Sequence, residues 1–376
     1  MSCYVPHMTE PANKEIRALT ALRGIAAMAV VLQHYSASAQ EFAVRSIPSL
    51  APHGYMAVDF FFVLSGFIMA YTYADAFQTK GWRAYPDFLG RRVARIWPLQ
   101  AMVVLILVAA GGIALGFGGE SKIFHSPSFG LDIMANLLML QGFGIGENLN
   151  GPSGTVSQEL GAYALFPVLL ALALSRRRSI AAAAFGVAVA LVCWQAAQEP
   201  RLGLASREIV NNVARCLAEF TLGLGAYRLY RSPLLPWLGT DGVTMGLAAA
   251  CMASLLLRLD LPAALMFPFL VVAFARNRGR PAQVVASRWP YFLGVISYSI
   301  YLIHSPFRFA EFAVLRKLHP GSFDSLTALA IAGVGAVSTI PLAWMAYRWI
   351  ERPGRDLVRR GLRSGARRES RAVPQT

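Results

Sequence analysis

Two imidazoles, one carboxylate and a few arginines carry most of the chemistry this sequence can perform, and all fall in or beside apolar stretches. Arg23 and His34 lie eleven residues apart in the first of these stretches. On a helix that spacing returns to nearly the same face and separates them by about 16 Å. Glu159 stands near the start of another stretch, in Ser157-Gln158-Glu159-Leu160, and His304 closes Ser297-Tyr298-Ser299-Ile300-Tyr301-Leu302-Ile303-His304. An ionisable group in hydrocarbon is costly unless paired or hydrated, so each is a functional candidate. A histidine with a carboxylate nearby is equipped as a general base: the carboxylate orients the imidazole and stabilises its charged form while it takes a proton from a hydroxyl. His34, Arg23, Glu159 and His304 therefore form the expected catalytic set. Arg23 alone also reads as a topogenic charge, Glu159 as an interfacial charge facing water, and either histidine as a buried imidazole bonded to a neighbouring helix.

A second constellation is basic. Arg91, Arg92 and Arg95 precede Ile96-Trp97-Pro98, and guanidinium forks bind phosphates bidentately, so Arg92 and Arg95 could hold the phosphates of a nucleotide. Orientation of the chain in a membrane is the other use of such a cluster. Ser65, in Phe61-Phe62-Val63-Leu64-Ser65-Gly66-Phe67, and Tyr298 supply hydroxyls within apolar stretches that could donate to a developing oxyanion. Gly66 reads as a site of close helix packing, and Ser65 equally as packing or chemistry.

The elements that must position these groups follow from composition. Of 376 residues 56% are hydrophobic and mean hydropathy is +0.47, above the roughly 45–50% apolar usage of soluble domains. Apolar runs occur near 18–38, 55–75, 93–116, 131–141, 156–174, 179–196, 211–230, 242–257, 262–276, 291–310 and 326–349. A span needs about 20 such residues, so 131–141 reads as re-entrant or interfacial. The expected fold is an all-α, polytopic membrane helix bundle of about ten transmembrane helices plus that segment.

Basic clusters support this count, because Lys and Arg concentrate on the cytoplasmic side. They occur at Lys14/Arg17, Arg91/Arg92/Arg95, Arg176–Arg178, Arg228/Arg231, Arg276/Arg278/Arg280/Arg288 and from Arg352 to Arg371. Omitting 131–141 as a span puts all six inside; counting it inverts every cluster from Arg176 onward. The organisation expected is a cytoplasmic arm at 1–17, a ten-span domain at 18–353 and a basic cytoplasmic tail at 354–376, with a long external segment at about 117–155. The net charge of +15 is thereby explained without nucleic acid. Cys3, Cys193, Cys216 and Cys251 suggest neither a disulfide framework nor a metal site. The first block is too long for a secretory signal peptide and lacks a convincing cleavage site, so it reads as an uncleaved span.

Five pieces in order, Arg23 through His34 with Leu22-Arg23-Gly24-Ile25-Ala26-Ala27, Phe61–Phe67, Arg92-Val93-Ala94-Arg95-Ile96-Trp97-Pro98, Ser297–His304, and Glu351-Arg352-Pro353, make the chain similar to the acyltransferase-3 family of membrane acyltransferases over residues 17–355. The resemblance implies a ten-span core, cytoplasmic acyl-CoA (acetyl-CoA foremost) as co-substrate with no bound cofactor, and transfer to an extracytoplasmic carbohydrate or glycolipid. It makes His34 the catalytic histidine, Arg23 its motif partner, and Arg92 and Arg95 donor residues. Glu159 falls where the family has an acidic residue after a Trp-Ser-Leu type stretch, replaced here by Thr155-Val156-Ser157-Gln158. Some members carry a further hydrolase-like domain, for which no room is expected here; transfer would be direct or rely on a separate protein. A bacterial inner membrane with both termini cytoplasmic is the expected location, with a second copy or polysaccharide-assembly proteins as further partners.

The mechanism expected is base catalysis by His34 on a sugar hydroxyl, or an acyl-His intermediate, with Glu159 or His304 positioning the imidazole. Two other classes compete: a proton-coupled transporter or flippase using His34, Glu159 and His304 as a relay, and a non-catalytic scaffold of envelope-polysaccharide assembly.

Overall fold

A computed structural model describes residues 15–116, 123–198, 209–358 and 360–361. Most of the arm at 1–17 and of the tail at 354–376 lies outside these residues. Thirteen α-helices occur among them: α1 (Arg17–Gln40), α2 (Met56–Lys80), α3 (Tyr85–Gly116), α4 (Phe129–Leu137), α5 (Ser153–Ala173), α6 (Arg178–Gln198), α7 (Ile209–Arg231), α8 (Asp241–Leu256), α9 (Asp260–Arg276), α10 (Arg280–Val285), α11 (Arg288–Val295), α12 (Ser297–Leu318) and α13 (Ser325–Ala346). The described residues contain no strand, only an isolated bridge between Ala43 and Phe323 that pins the α1–α2 loop to the α12–α13 loop. An all-helical chain is what hydrocarbon demands of a backbone that must satisfy its own hydrogen bonds.

Five stretches are long and apolar enough to cross a membrane: Arg17–Gln40, Met56–Gly116, Ser153–Ala173, Arg178–Gln198 and Ser325–Val358. The second contains both α2 and α3. These five stretches hold six helices, fewer than the ten spans expected. α7 carries Arg215 and Glu219 and α12 carries Arg308 and Glu311, while α8 and α9 have only 16 and 17 residues. Polar helices inside an apolar bundle are where an internal site has to be built. The protein is an integral membrane protein.

α2 and α7 form the most extensive helix pair. Gly66 and Gly223 face each other there, and a Cβ at either would collide with the carbonyl of Phe220 or Val63. Gly66 is thus a packing residue, as small residues at membrane helix crossings are. Gly24 and Gly294 allow the same approach of α1 to α11.

The run expected as one span at 291–310 is two helices. α11 ends at Val295, Ile296 turns the chain, and α12 begins at Ser297. The Gly294 carbonyl, which a continuous helix would have paired, is satisfied instead by Arg23 Nη2 at 3.1 Å and by Ser297 Oγ at 2.9 Å, and Arg23 Nε donates in turn to Ser297 Oγ at 3.0 Å. α13 runs on through a π turn at Tyr347–Glu351 and remains helical to Val358, so the first residues assigned to the tail are helical.

The segment expected to be re-entrant or interfacial is α4 and the turn after it. Its nine residues span about 13 Å, too short to cross. Its C-terminal carbonyls accept from Trp97 Nε1 (Leu137 O, 2.9 Å) and Gln100 Nε2 (Asn136 O, 3.2 Å) of α3. Asn136 bonds the carbonyl of Glu147 and the amide of Leu149, and Gln141 and Gly142 dock on Ser153 and Ser157 of α5. The segment is therefore held against α3 and α5 by side chains, with Leu131, Met134 and Leu138 left exposed.

Candidate active site

His34 on α1 and His304 on α12 meet. His34 Nδ1 lies 2.8 Å from His304 Nε2, with the ring planes within 13° of parallel. His304 is fully buried and His34 half-buried. The direction of the hydrogen bond follows from the next partner along. His304 Nδ1 is 3.2 Å from the Ile300 carbonyl, which can only accept, so in the neutral ring Nδ1 carries the proton and Nε2 is an acceptor. His34 Nδ1–H therefore donates to it, leaving the lone pair on His34 Nε2. A backbone carbonyl thus sets both tautomers and leaves His34 poised as a base.

Pro306 lies inside α12 and has no N–H for the Leu302 carbonyl one turn earlier. Asn150 Nδ2, from the connection between α4 and α5, donates to that carbonyl at 2.9 Å. The turn carrying His304 is thus held from outside α12. Arg308, one turn further on, donates to the His34 carbonyl at 3.2 Å and to Ser38 Oγ.

Six of the other expected residues line one cavity of about 270 Å³: Arg23, Ser65, Arg92, Arg95, Glu159 and Tyr298. Its lining on α2 extends from Val58 to Thr72, about 21 Å along the helix axis. Toward one end Arg92 Nη2 donates to Tyr73 Oη at 2.8 Å, and Arg95 adds a second cation on the same helix. Arg91 turns away to a surface pair with Asp87 at 2.8 Å. Along the wall, Tyr163 Oη donates to Glu159 Oε1 at 2.5 Å and lies 2.9 Å from Ser65 Oγ. Glu351 of the π turn accepts from Ser299 Oγ at 2.7 Å, a carboxylate whose field reaches Arg95 and Arg23.

Some expected pairings are not made. Glu159 serves Tyr163 and the cavity, not the imidazoles; His34 is oriented by a second imidazole instead of a carboxylate. Arg23, three turns from His34, braces the α11–α12 break. Tyr298 donates to the Ile96 carbonyl at 2.6 Å, so its proton is committed to α3 and its ring only walls the cavity. The cavity lining excludes both histidines. Tyr301 stands between: it lines the cavity, bonds Thr155 Oγ1 at 2.7 Å, meets Phe61 edge-on, and its ring centroid is 6.0 Å from that of His304.

Sequence reasoning missed Tyr301, Tyr163, Asn150 and Arg308 as parts of this region. Tyr301 and Arg308 were legible as polar groups three residues before and four after His304 on one helix face; Asn150 carried no local signal. It also missed Arg215, whose Nε pairs with buried Asp59 at 3.2 Å beside Glu219. A carboxylate at the start of α2 required a cation on the helix it packs against.

The acyltransferase-domain family model matches residues 16–348 of this chain. The chain belongs to the acyltransferase-3 family. The acyltransferase is 29% identical over 371 residues to acyltransferase MdmB of Streptomyces mycarofaciens, covering 89% of this chain and 88% of that protein. A shorter match, 35% identical over 91 residues, covers 24% of this chain and 43% of protein 2 in the picA locus of Rhizobium radiobacter. No solved structure matches it at a significant level.

Proposed function

We propose that this acyltransferase moves an acyl group, acetyl foremost, from cytoplasmic acyl-CoA to a hydroxyl of a carbohydrate or glycolipid on the far side of a bacterial inner membrane. The observation that carries the reading is the cavity through the bundle, with Arg92 and Arg95 near one end and, behind Tyr301, a histidine pair whose tautomers leave a free base. In this reading ten helices cross, α1–α3, α5–α9, α12 and α13, with both termini inside. The short helices α8 and α9 span about 24–26 Å, close to the hydrocarbon thickness.

The phosphates of the donor rest on Arg92 and Arg95, with Glu351 keeping the cluster from being purely cationic. The pantetheine arm follows the cavity to Tyr301. His34 Nε2 takes the proton of the acceptor hydroxyl as its oxygen attacks the thioester carbonyl. The C–S bond breaks, and His34 returns the proton to the departing sulfur, so the enzyme ends as it began. His304 receives the Nδ1–H hydrogen bond throughout and shares the transient positive charge, the part a carboxylate plays in other bases.

The test is transfer of label from [acetyl-¹⁴C]acetyl-CoA into lipid and polysaccharide fractions by membranes carrying wild type or His34→Ala. Label with wild type alone is expected. Equal label from His34→Ala removes the imidazole from the reaction.

A further inference from the structure

The outer side of the imidazole pair carries a cation that the reaction above does not use. Arg308 lies one turn beyond His304 on α12, about 6 Å along the axis. One nitrogen of its fork, Nη1, is engaged, by the His34 carbonyl and Ser38 Oγ. Its Nε is buried without a hydrogen-bond partner. Among the described residues no carboxylate lies within ion-pair distance of it; Glu41 acts only at longer range.

Arg23 and Arg92 are as sparsely bonded as Arg308, but both line the cavity already assigned to the donor; the arginines away from it are occupied differently. Arg215 pairs with Asp59, Arg276 is surrounded by the carbonyls of Leu229, Tyr230, Ser232, Leu234 and Leu235, and Arg228 by those of Ala173 and Ser175. A cation within the membrane bundle is held there by an opposite charge or a set of carbonyls. Arg308, only partly buried, has one carbonyl and one hydroxyl, both through Nη1, and the exposed Phe309 ring centroid 4.5 Å from its guanidinium carbon. The free edge of a guanidinium fork matches a carboxylate or phosphate.

We infer that Arg308 is an acceptor-side anion subsite: the hydroxyl brought to His34 belongs to a sugar that also carries a carboxylate or phosphate, and this group completes the fork of Arg308. The inference rests on the acyltransfer reading for the word acceptor, while the anion site itself does not. Its placement argues for the acceptor over the donor. The donor arginines line the cavity on the other side of Tyr301, whereas Arg308 is absent from that lining and touches the backbone of the base itself. Anchoring an anion there fixes one end of the sugar about one helical turn from the imidazoles and leaves a neighbouring hydroxyl to meet His34 Nε2.

The purified full-length protein in detergent is titrated with hexuronates and hexose phosphates, each against its neutral parent sugar, and with inorganic phosphate, reading binding from the shift in Tm. At least one acidic sugar is expected to bind about ten- to hundred-fold tighter than its parent. Arg308→Gln should erase that difference and Arg308→Lys should keep part of it, both leaving acyl-CoA binding unchanged as the control for folding. The uronate and phosphate arms separate the two sources of charge. Acidic and neutral sugars binding alike, an Arg308→Gln variant that keeps the preference, or inorganic phosphate binding as tightly as the phosphorylated sugars would each overturn the subsite. Arg308-dependent binding without His34-dependent label transfer would leave the subsite standing and remove the acyltransfer reading.

Discussion

His34 owes its readiness as a base to a single carbonyl. Ile300 fixes the proton on His304 Nδ1, His304 Nε2 then accepts from His34, and His34 Nε2 is left bare. Removing the base by His34→Ala should lower kcat at least about 100-fold, measured as acyl transfer in membranes with insertion checked in parallel. His304→Gln retains an oxygen acceptor for the His34 Nδ1–H and should keep more activity than His304→Ala; equal losses would show that His304 does more than hold the tautomer. Tyr298→Phe separates two roles for that residue. Because its hydroxyl is spent on Ile96, the variant should cost about 1 kcal/mol in stability and leave kcat nearly unchanged, whereas an oxyanion donor would lose rate.

Among the elements, α12 and the connection between α4 and α5 depend on each other. Pro306 orphans the Leu302 carbonyl and Asn150 satisfies it, so Asn150→Ala should destabilise the His304 turn by about 1–3 kcal/mol. It should lower kcat while leaving acyl-CoA binding intact, checked by separate rate and binding measurements. On α4, hydrogen bonds from Ser126, the Glu147 amide and Ser128 hold the Asp132 carboxyl below its usual range. A carboxyl depressed in the folded state contributes stability above its unfolded pKa and loses it as pH falls through the folded value. Protease cleavage within 126–150 should therefore rise only below about pH 4, and Asp132→Asn should show that sensitivity already at neutral pH. Other basic clusters read for topology turn out to cap helices as well: Arg228 binds the carbonyls at the end of α5 and Arg276 those at the end of α7. Cations belong at such ends because the helix dipole is negative there.

For the molecule as a whole, the testable property is topology. In a cysteine-free background, single cysteines replacing Ser49, in the α1–α2 loop, and Arg177, in the α5–α6 turn, should react with an impermeant thiol reagent from opposite faces. Reaction from the same face would break the ten-span arrangement. The bundle itself leans on close crossings: Gly223→Ala forces a Cβ against the Val63 carbonyl and should cost about 1–3 kcal/mol, read as a lowered Tm.

What the sequence alone determined is set by local physics. Helix positions followed from apolar runs, because backbone in hydrocarbon must pair with itself; the candidates Arg23, His34, Ser65, Glu159, Tyr298 and His304 followed from polar groups within or beside such runs, and Arg92 and Arg95 from their clustering and the family resemblance. All eight fall at the cavity or at the imidazole pair beside it. Which of them meet was decided only by the tertiary structure. The contact of His34 with His304 joins residues 270 apart in the chain, the diversion of Glu159 to Tyr163 depends on the face α5 turns inward, and the service of Asn150 to Leu302 needs the α4–α5 connection docked on α12. The break at Ile296 was invisible for the same reason: nothing in the run 291–310 marks a stop at Ile296, and the Gly294 carbonyl freed there is satisfied by Arg23, arriving from another helix, together with Ser297 Oγ.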